Sequence, residues 1–174
     1  MTRSPARFLL AAILAAGLLG GCTGYQLGGS KPAHLREVDS VYVAPTRNQT
    51  LLTRASALAT NNIVDALTRD GTYQVATLDA ADARLETTIL RVDYQQVRAS
   101  TRDTLSSEEL EMTLILSWKL IDASNPLEVL ESGSSSGSTR FFADPNLQTA
   151  RQTALTDALK RATDSLVARL ADGF

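Results

Sequence analysis

Residues 110–120 read LEMTLILSWKL and are the most regular stretch of this chain. Apolar side chains occupy every second position, and polar side chains fill most of the positions between them. This period of two indicates a β-strand with one buried face and one solvated face. Only Ile115 and Ile121 interrupt the polar face. The buried face must be covered, so the rest of the fold depends on the elements that can cover it.

A second long strand is predicted just before this one, from Ala83 to Arg98. Its apolar alternation runs through Leu85 and Ile89 and then shifts by one residue to Leu90. Because such a shift turns the side chains to the other face, we expect a bulge or a strong twist near Ile89. The polar residues 98–107 that follow are expected to form a hairpin tip.

The serine tract SGSSSGST, residues 132–139, is compatible with two structures. Its composition is typical of a linker, but Leu127, Val129 and Leu130 just before it begin a strand. We favour an edge strand, because a linker here would detach the last helix from the only sheet able to bury it.

Two amphipathic helices are available to cover the sheet. Residues 55–67 carry apolar or small side chains at spacings of three and four, and Gly71 is well placed to end this helix. Strands at 38–44 and 73–75 flank it, which suggests a right-handed β-α-β unit. The second helix is expected to start at Asp144-Pro145, a capping residue followed by a proline suited to the first turn. Its apolar stripe comprises Leu147, Ala150, Ala154, Leu155, Ala158, Leu159, Ala162, Leu166 and Leu170.

These elements predict an α+β fold for a single domain at residues 38–174. We expect a mixed, mostly antiparallel sheet of four to five strands, with both amphipathic helices packed on one face, in the order β-α-β-β-β-α. Before this domain, the glycine-containing residues 22–37 are predicted to form a flexible tether. Residues 1–21 are predicted to be a secretory signal peptide. In that segment Arg3 and Arg7 are followed by an apolar run that is too short to span a membrane.

Cys22 is the single cysteine of the chain, and it follows Leu19-Gly20-Gly21. This tetrapeptide resembles the bacterial lipobox. The resemblance implies cleavage before Cys22, diacylglycerol on its sulfur, and a further acyl chain such as palmitate on the new amine. Several acyl chains anchor a protein stably to a bilayer, whereas one does so only marginally. Thr23 stands where an aspartate would resemble the inner-membrane retention signal, so we expect an outer-membrane protein. An ordinary signal followed by a free or buried thiol is the alternative.

Composition excludes several functions. The formal charge of −2 becomes −4 when Arg3 and Arg7 leave with the signal peptide, which argues against a nucleic-acid partner. One cysteine, expected to be acylated, permits no internal disulfide. His34 is the only histidine and lies in the predicted tether. Because no second histidine or free thiol exists to complete a catalytic dyad or a metal site, we expect no enzyme, no cofactor and no metal.

Three motifs resemble the family of lipopolysaccharide-assembly lipoproteins called LptE. Residues 22–27 (CTGYQL) are similar to the mature N-terminus of that family, and residues 41–50 (VYVAPTRNQT) are similar to its opening strand and turn. Residues 139–145 (TRFFADP) resemble its junction between the last strand and the last helix. The likeness runs in order along essentially the whole mature chain.

The resemblance implies a non-enzymatic function at the outer membrane. Such a protein, anchored by lipid on the periplasmic side, would plug and help assemble a large LptD-like β-barrel and would bind lipopolysaccharide during its transport to the cell surface. Basic residues implicated in lipopolysaccharide contact map onto Arg102 in the hairpin tip and Arg151 in the last helix. Each could instead be a solvated surface charge. The alternative function is a periplasm-facing lipoprotein that activates or scaffolds a cell-wall synthase or a secretion complex.

Overall fold

The computed structural model describes residues 31–98, 109–143 and 146–173. Within these ranges the chain has two α-helices, six strands and a short 3₁₀ helix at Ala33–Leu35. The helices are α1 (Ala55–Asp70) and α2 (Leu147–Asp172). The strands are β1 (Ser40–Val43), β2 (Arg47–Asn48), β3 (Gln74–Val75), β4 (Ala83–Arg98), β5 (Glu109–Asp122) and β6 (Val129–Phe142). The predicted signal peptide, Cys22, Arg102 and the Asp144-Pro145 helix start lie outside the described residues.

All six strands belong to one mixed sheet with the order β3-β1-β4-β5-β6, and β2 pairs with β4 beside β1. The pairs among β1, β2, β3 and β4 are parallel, whereas β4-β5 and β5-β6 are antiparallel and much longer. The predicted α+β class is confirmed, with β1-α1-β3 as the expected parallel unit. The strand count is six rather than four to five, because β2 is only two residues long and shows no alternation in the sequence.

The bulge predicted near Ile89 is confirmed. Ile89 pairs with Leu116 of β5 and Arg91 pairs with the next residue, Ile115, so Leu90 is the extra residue. An extra residue reverses the faces of everything beyond it. Odd-numbered residues of β4 therefore face the helices before the bulge, and even-numbered residues, including Tyr94, face them after it.

The core lies between one face of the sheet and both helices, as predicted. The even-numbered side chains of β5, from Met112 to Leu120, are buried there. The buried stripe of α1 runs from Ala55 to Leu67, and that of α2 runs from Ala154 to Ala171. The opposite face of the sheet has no helix on it among the described residues. Its side chains on β5 and β6 are mainly polar and are half-buried or exposed.

The serine tract continues β6 along the edge of the sheet, which confirms the strand that the sequence favoured over a linker. Its glycines permit close packing. A Cβ atom at Gly137 would lie 2.0 Å from the Ala158 carbonyl oxygen and 2.6 Å from the Ala162 amide nitrogen. A Cβ atom at Gly133 would lie 2.7 Å from the Trp118 ring. The two glycines of the tract therefore stand where α2 and Trp118 rest directly on the strand.

The structure describes two segments close to boundaries that the sequence predicted. Helix α2 starts at Leu147, two residues after the predicted Pro145, with Asn146 at the cap position and no side-chain cap hydrogen bond. The predicted tether is described only from Lys31 onward, and Leu35 within it is fully buried in the core. The packed part of the chain therefore begins before Val38, since the Leu35 side chain attaches the short 3₁₀ turn to the core.

Tyr73 connects the end of α1 to the end of α2. Gly71 ends α1 with a φ of 78°, the left-handed conformation predicted for it. Two residues later the buried Tyr73 hydroxyl donates a 2.7 Å hydrogen bond to the Leu170 carbonyl oxygen. That carbonyl belongs to the last turn of α2, where carbonyls have no partner within the helix. Burial, with smaller contributions from Glu131 and Asp70, raises the pKa of Tyr73 to about 12.

We expect Tyr73 to make the protein lose stability at alkaline pH. Between its ordinary pKa of 10 and its folded pKa of about 12, only the unfolded chain releases the phenolic proton. The free energy of unfolding should therefore fall as pH rises through this interval, by about 2 kcal/mol or less. Tyr73→Phe should lose about 1 kcal/mol at neutral pH through the missing hydrogen bond.

Chemical unfolding at pH values from 8 to about 12 would measure both effects. The difference in unfolding free energy between the parent chain and Tyr73→Phe should shrink across the alkaline interval, since only the parent has this group to titrate. A constant difference would contradict the assignment.

Candidate functional site

Few of the described residues are suited to catalysis or to binding a metal ion. Within residues 31–98, 109–143 and 146–173, no group of three or more His, Cys, Asp or Glu residues is placed to hold a metal ion. The His34 Nε2 atom lies 3.3 Å from a Glu131 carboxylate oxygen at the surface. In the same described ranges, no helix combines the length and the apolar character needed to cross a membrane.

A groove of about 490 Å³ opens at the end of the domain where both helices begin, and we call it the arginine groove. Its walls come from the segment before α1, the first turns of α1 and α2, and β4 beyond its bulge. The lining residues are Leu51, Leu52, Thr53, Arg54, Leu58, Tyr94, Gln148, Thr149, Arg151, Gln152 and Leu155. This set contains two arginines and four leucines but no carboxylate.

Arg151 is held in the groove by an aromatic ring. Its guanidinium carbon lies 5.3 Å from the centroid of the Tyr94 ring, which is within the range of a cation-π contact. Tyr94 reaches this face of the sheet only because the bulge at Leu90 reverses the alternation of β4. A cation-π contact uses none of the N–H donors of the arginine, so they remain available for hydrogen bonds.

Arg54 adds a second positive charge on the opposite wall. It occupies the residue before α1, and neither Arg54 nor Asn146 caps its helix with a side-chain hydrogen bond. The first turns of both helices lack acidic residues. The positive ends of two helix dipoles therefore add to the charge of the arginines. Neither arginine forms an ion pair with another residue that the structure describes.

The groove can accept a ligand that is anionic at one part and apolar at another. Arginine donates paired hydrogen bonds to phosphate or carboxylate oxygens. The leucines supply apolar contact: Leu51 is 100% exposed, and Leu52 and Leu58 are half-buried beside it. An exposed leucine next to two cations is typical of a surface that binds an amphiphile rather than a simple ion.

Of the site residues predicted from the sequence, Cys22, Arg102 and Arg151, the structure describes only Arg151, and it places that residue in the groove. Arg102 lies outside the described residues, between Arg98 of β4 and Glu109 of β5, which pair with each other. The paired phenylalanines diverge: Phe141 packs against the core, whereas Phe142 on the opposite face is 58% exposed. The sequence did not single out Tyr94 or Arg54. A detectable signal for this site was the pair Leu51-Leu52 in an otherwise polar turn.

The fold and the groove define a small α+β domain with an open sheet face and a basic, partly apolar groove. A family model described as "LptE: Lipopolysaccharide-assembly" matches residues 38–170. The chain therefore belongs to the LptE family of lipopolysaccharide-assembly lipoproteins. This confirms the family inferred from the sequence motifs.

Solved structures share the fold at low sequence identity. Protein XCC0632 from Xanthomonas campestris is 17% identical, with a TM-score of 0.54 over 82% of this chain and 90% of that one. The hypothetical protein CT253 from Chlamydia trachomatis is 12% identical, with a TM-score of 0.52 over 75% of this chain and 94% of that one. No curated protein matches the chain. These likenesses concern the fold alone.

Proposed function

We propose that this protein is a non-enzymatic outer-membrane lipoprotein that binds lipopolysaccharide in the arginine groove during its transport to the cell surface. The main support is that Arg151 and Arg54 line one groove together with the exposed Leu51, and that the described residues of its lining include no carboxylate. Lipopolysaccharide carries phosphates and acyl chains, the two chemistries that such a groove accepts. Arg102, in the predicted hairpin tip, would extend the basic surface.

The second part of the proposal concerns anchoring and the protein partner. Cleavage before Cys22 and its acylation would hold the protein on the periplasmic side of the outer membrane. The domain would then sit inside an LptD-like β-barrel and assist its assembly. A barrel lumen is polar, and the open sheet face offers a matching surface. Ser132, Ser134 and Ser136 line it along β6 and are all exposed.

Depletion of the protein in its source bacterium tests the role directly. We expect lipopolysaccharide to disappear from the outer leaflet, measured by labelling of intact cells, and to return when the parent chain is re-expressed. Unaltered surface lipopolysaccharide would refute the proposed function.

Photo-crosslinking of the lipid-anchored protein, followed by purification, identifies the protein that it contacts. A photo-reactive residue at Ser134 should capture a large β-barrel protein, whereas one at the exposed Arg36, away from the open face, serves as the control. A peptidoglycan synthase in place of the barrel would support the alternative function as a scaffold for cell-wall synthesis.

A further inference from the structure

The end of the domain opposite the arginine groove is where the chain arrives from Cys22. Lys31 forms a 2.7 Å ion pair with Asp39. The Asp39 amide donates to the Asp82 carboxylate at 3.1 Å, and the Ala123 amide donates to the Asp82 carbonyl oxygen at 3.0 Å. These contacts bring the first described residue together with the β3-β4 turn and the β5-β6 turn. We call this end the anchor pole.

The anchor pole exposes apolar side chains on both turns. Leu78 in the β3-β4 turn is 50% exposed, and Leu127 in the β5-β6 turn is 93% exposed. The turns are adjacent, since Leu78 and Pro126 line one cleft together with Ile121. Just beyond the second turn, Val129 is 47% exposed. These exposed apolar side chains lie on neighbouring turns and contribute little to the core, so they are available for contact with a membrane or a partner.

The length of the tether keeps this pole close to the lipid. Eight residues lie between Cys22 and Lys31, so these two residues can be at most about 30 Å apart. The groove is far from the same point. Helix α2 has 26 residues, or about 39 Å, and runs from the groove to Gly173, where a Cβ atom would lie 3.3 Å from Pro32. Acylation of Cys22 would thus keep Lys31 and the anchor pole within about 30 Å of the bilayer, whereas the groove lies at the other end of α2.

The charged side chains of the anchor pole indicate which kind of lipid surface it can contact. Asp79 and Asp122 line the cleft beside Leu78, and Glu128 follows Leu127. Arg84 in the same cleft forms an ion pair with Glu86. A rim rich in carboxylates is repelled by an anionic membrane surface and tolerated by a zwitterionic one.

We propose that the anchor pole rests on a zwitterionic phospholipid leaflet, with Leu78 and Leu127 inserted among its headgroups, before the protein meets its barrel partner. The inference rests on the acylation of Cys22 in the proposed function. The contact adds a second attachment to the lipid anchor and directs the groove away from the membrane.

A thiol label on the full acylated chain tests this contact. With Cys22 acylated, Leu127→Cys carries the only free thiol and can take an environment-sensitive fluorophore. In phosphatidylethanolamine–phosphatidylcholine vesicles containing a quencher-labelled lipid, its emission should shift to the blue and be quenched several-fold more than that of Leu51→Cys. Leu51 is the matched control, since it is an exposed leucine at the groove end.

The outcomes separate the inference from the function on which it rests. If the protein floats with the vesicles but the label at residue 127 is quenched no more than the label at residue 51, the inference is overturned and the anchor stands. Failure to float overturns both. Replacing part of the lipid with phosphatidylglycerol at low salt should weaken the quenching, and stronger quenching would overturn the assignment to a zwitterionic surface.

Discussion

Gly137→Ala is expected to destabilise the protein by about 3 kcal/mol or more, at the upper end of the cost of overpacking a core. The added Cβ atom would lie 2.0 Å from the Ala158 carbonyl oxygen. Because the contacted atoms belong to the α2 backbone, no side-chain rotation relieves the clash. Helix α2 would have to move away from β6 and give up part of the contact that buries its stripe. Urea unfolding followed by circular dichroism measures the loss.

Ser136→Ala is the matched control for this substitution. It changes the neighbouring residue of the same strand, whose side chain is exposed on the open face. We expect a change within about 0.5 kcal/mol, the usual range for surface substitutions. Equal stabilities for Gly137→Ala and Ser136→Ala would contradict the close packing of α2 on β6.

The double substitution Arg54→Ala/Arg151→Ala is expected to weaken lipopolysaccharide binding by about 100-fold. Each arginine can make charge-assisted hydrogen bonds worth roughly 1.5 kcal/mol or more, and each 1.4 kcal/mol corresponds to a factor of ten. Arg151→Ala also leaves Tyr94 without its cation. Titration of the purified domain with solubilised lipopolysaccharide, followed by fluorescence or calorimetry, gives the affinities of the parent chain and of the double variant.

The control for this pair is Arg36→Ala/Arg161→Ala. Both arginines are exposed, neither lines the groove, and the change in net charge is the same. The control should bind nearly as well as the parent chain, and both double variants should unfold at the parent's urea concentration. An affinity for Arg54→Ala/Arg151→Ala within about twofold of the control's would remove the arginine groove as the binding site.

Much of the fold was predictable because its elements bury one face each. The alternation in residues 110–120, the three-and-four spacing in α1 and α2, and the phase shift near Ile89 are direct consequences of that burial. Gly71 was predictable for a local reason, since helices often end at a residue in the left-handed conformation and glycine adopts that conformation readily. The two-residue strand β2 and the packing of Leu35 were not predictable, because segments so short carry no periodic signal.

The functional groove was only partly accessible from the sequence. Arg151 was assigned through a family motif, but Arg54 and Tyr94 are separated from it by long stretches of chain and belong to different elements. Nothing in the local pattern distinguishes them from solvated surface residues. Their meeting depends on the bulge at Leu90 and on both helices starting at the same end of the sheet.

By itself the sequence determined the class of the fold, the order of its main elements and the family of the protein, because periodic burial and local motifs are written along the chain. The close approach of α2 to Gly137, the assembly of the arginine groove and the grouping of Leu78 with Leu127 at the anchor pole were decided only by the tertiary structure. They depend on distances between residues far apart in the chain, and such distances are settled when the sheet and both helices pack together.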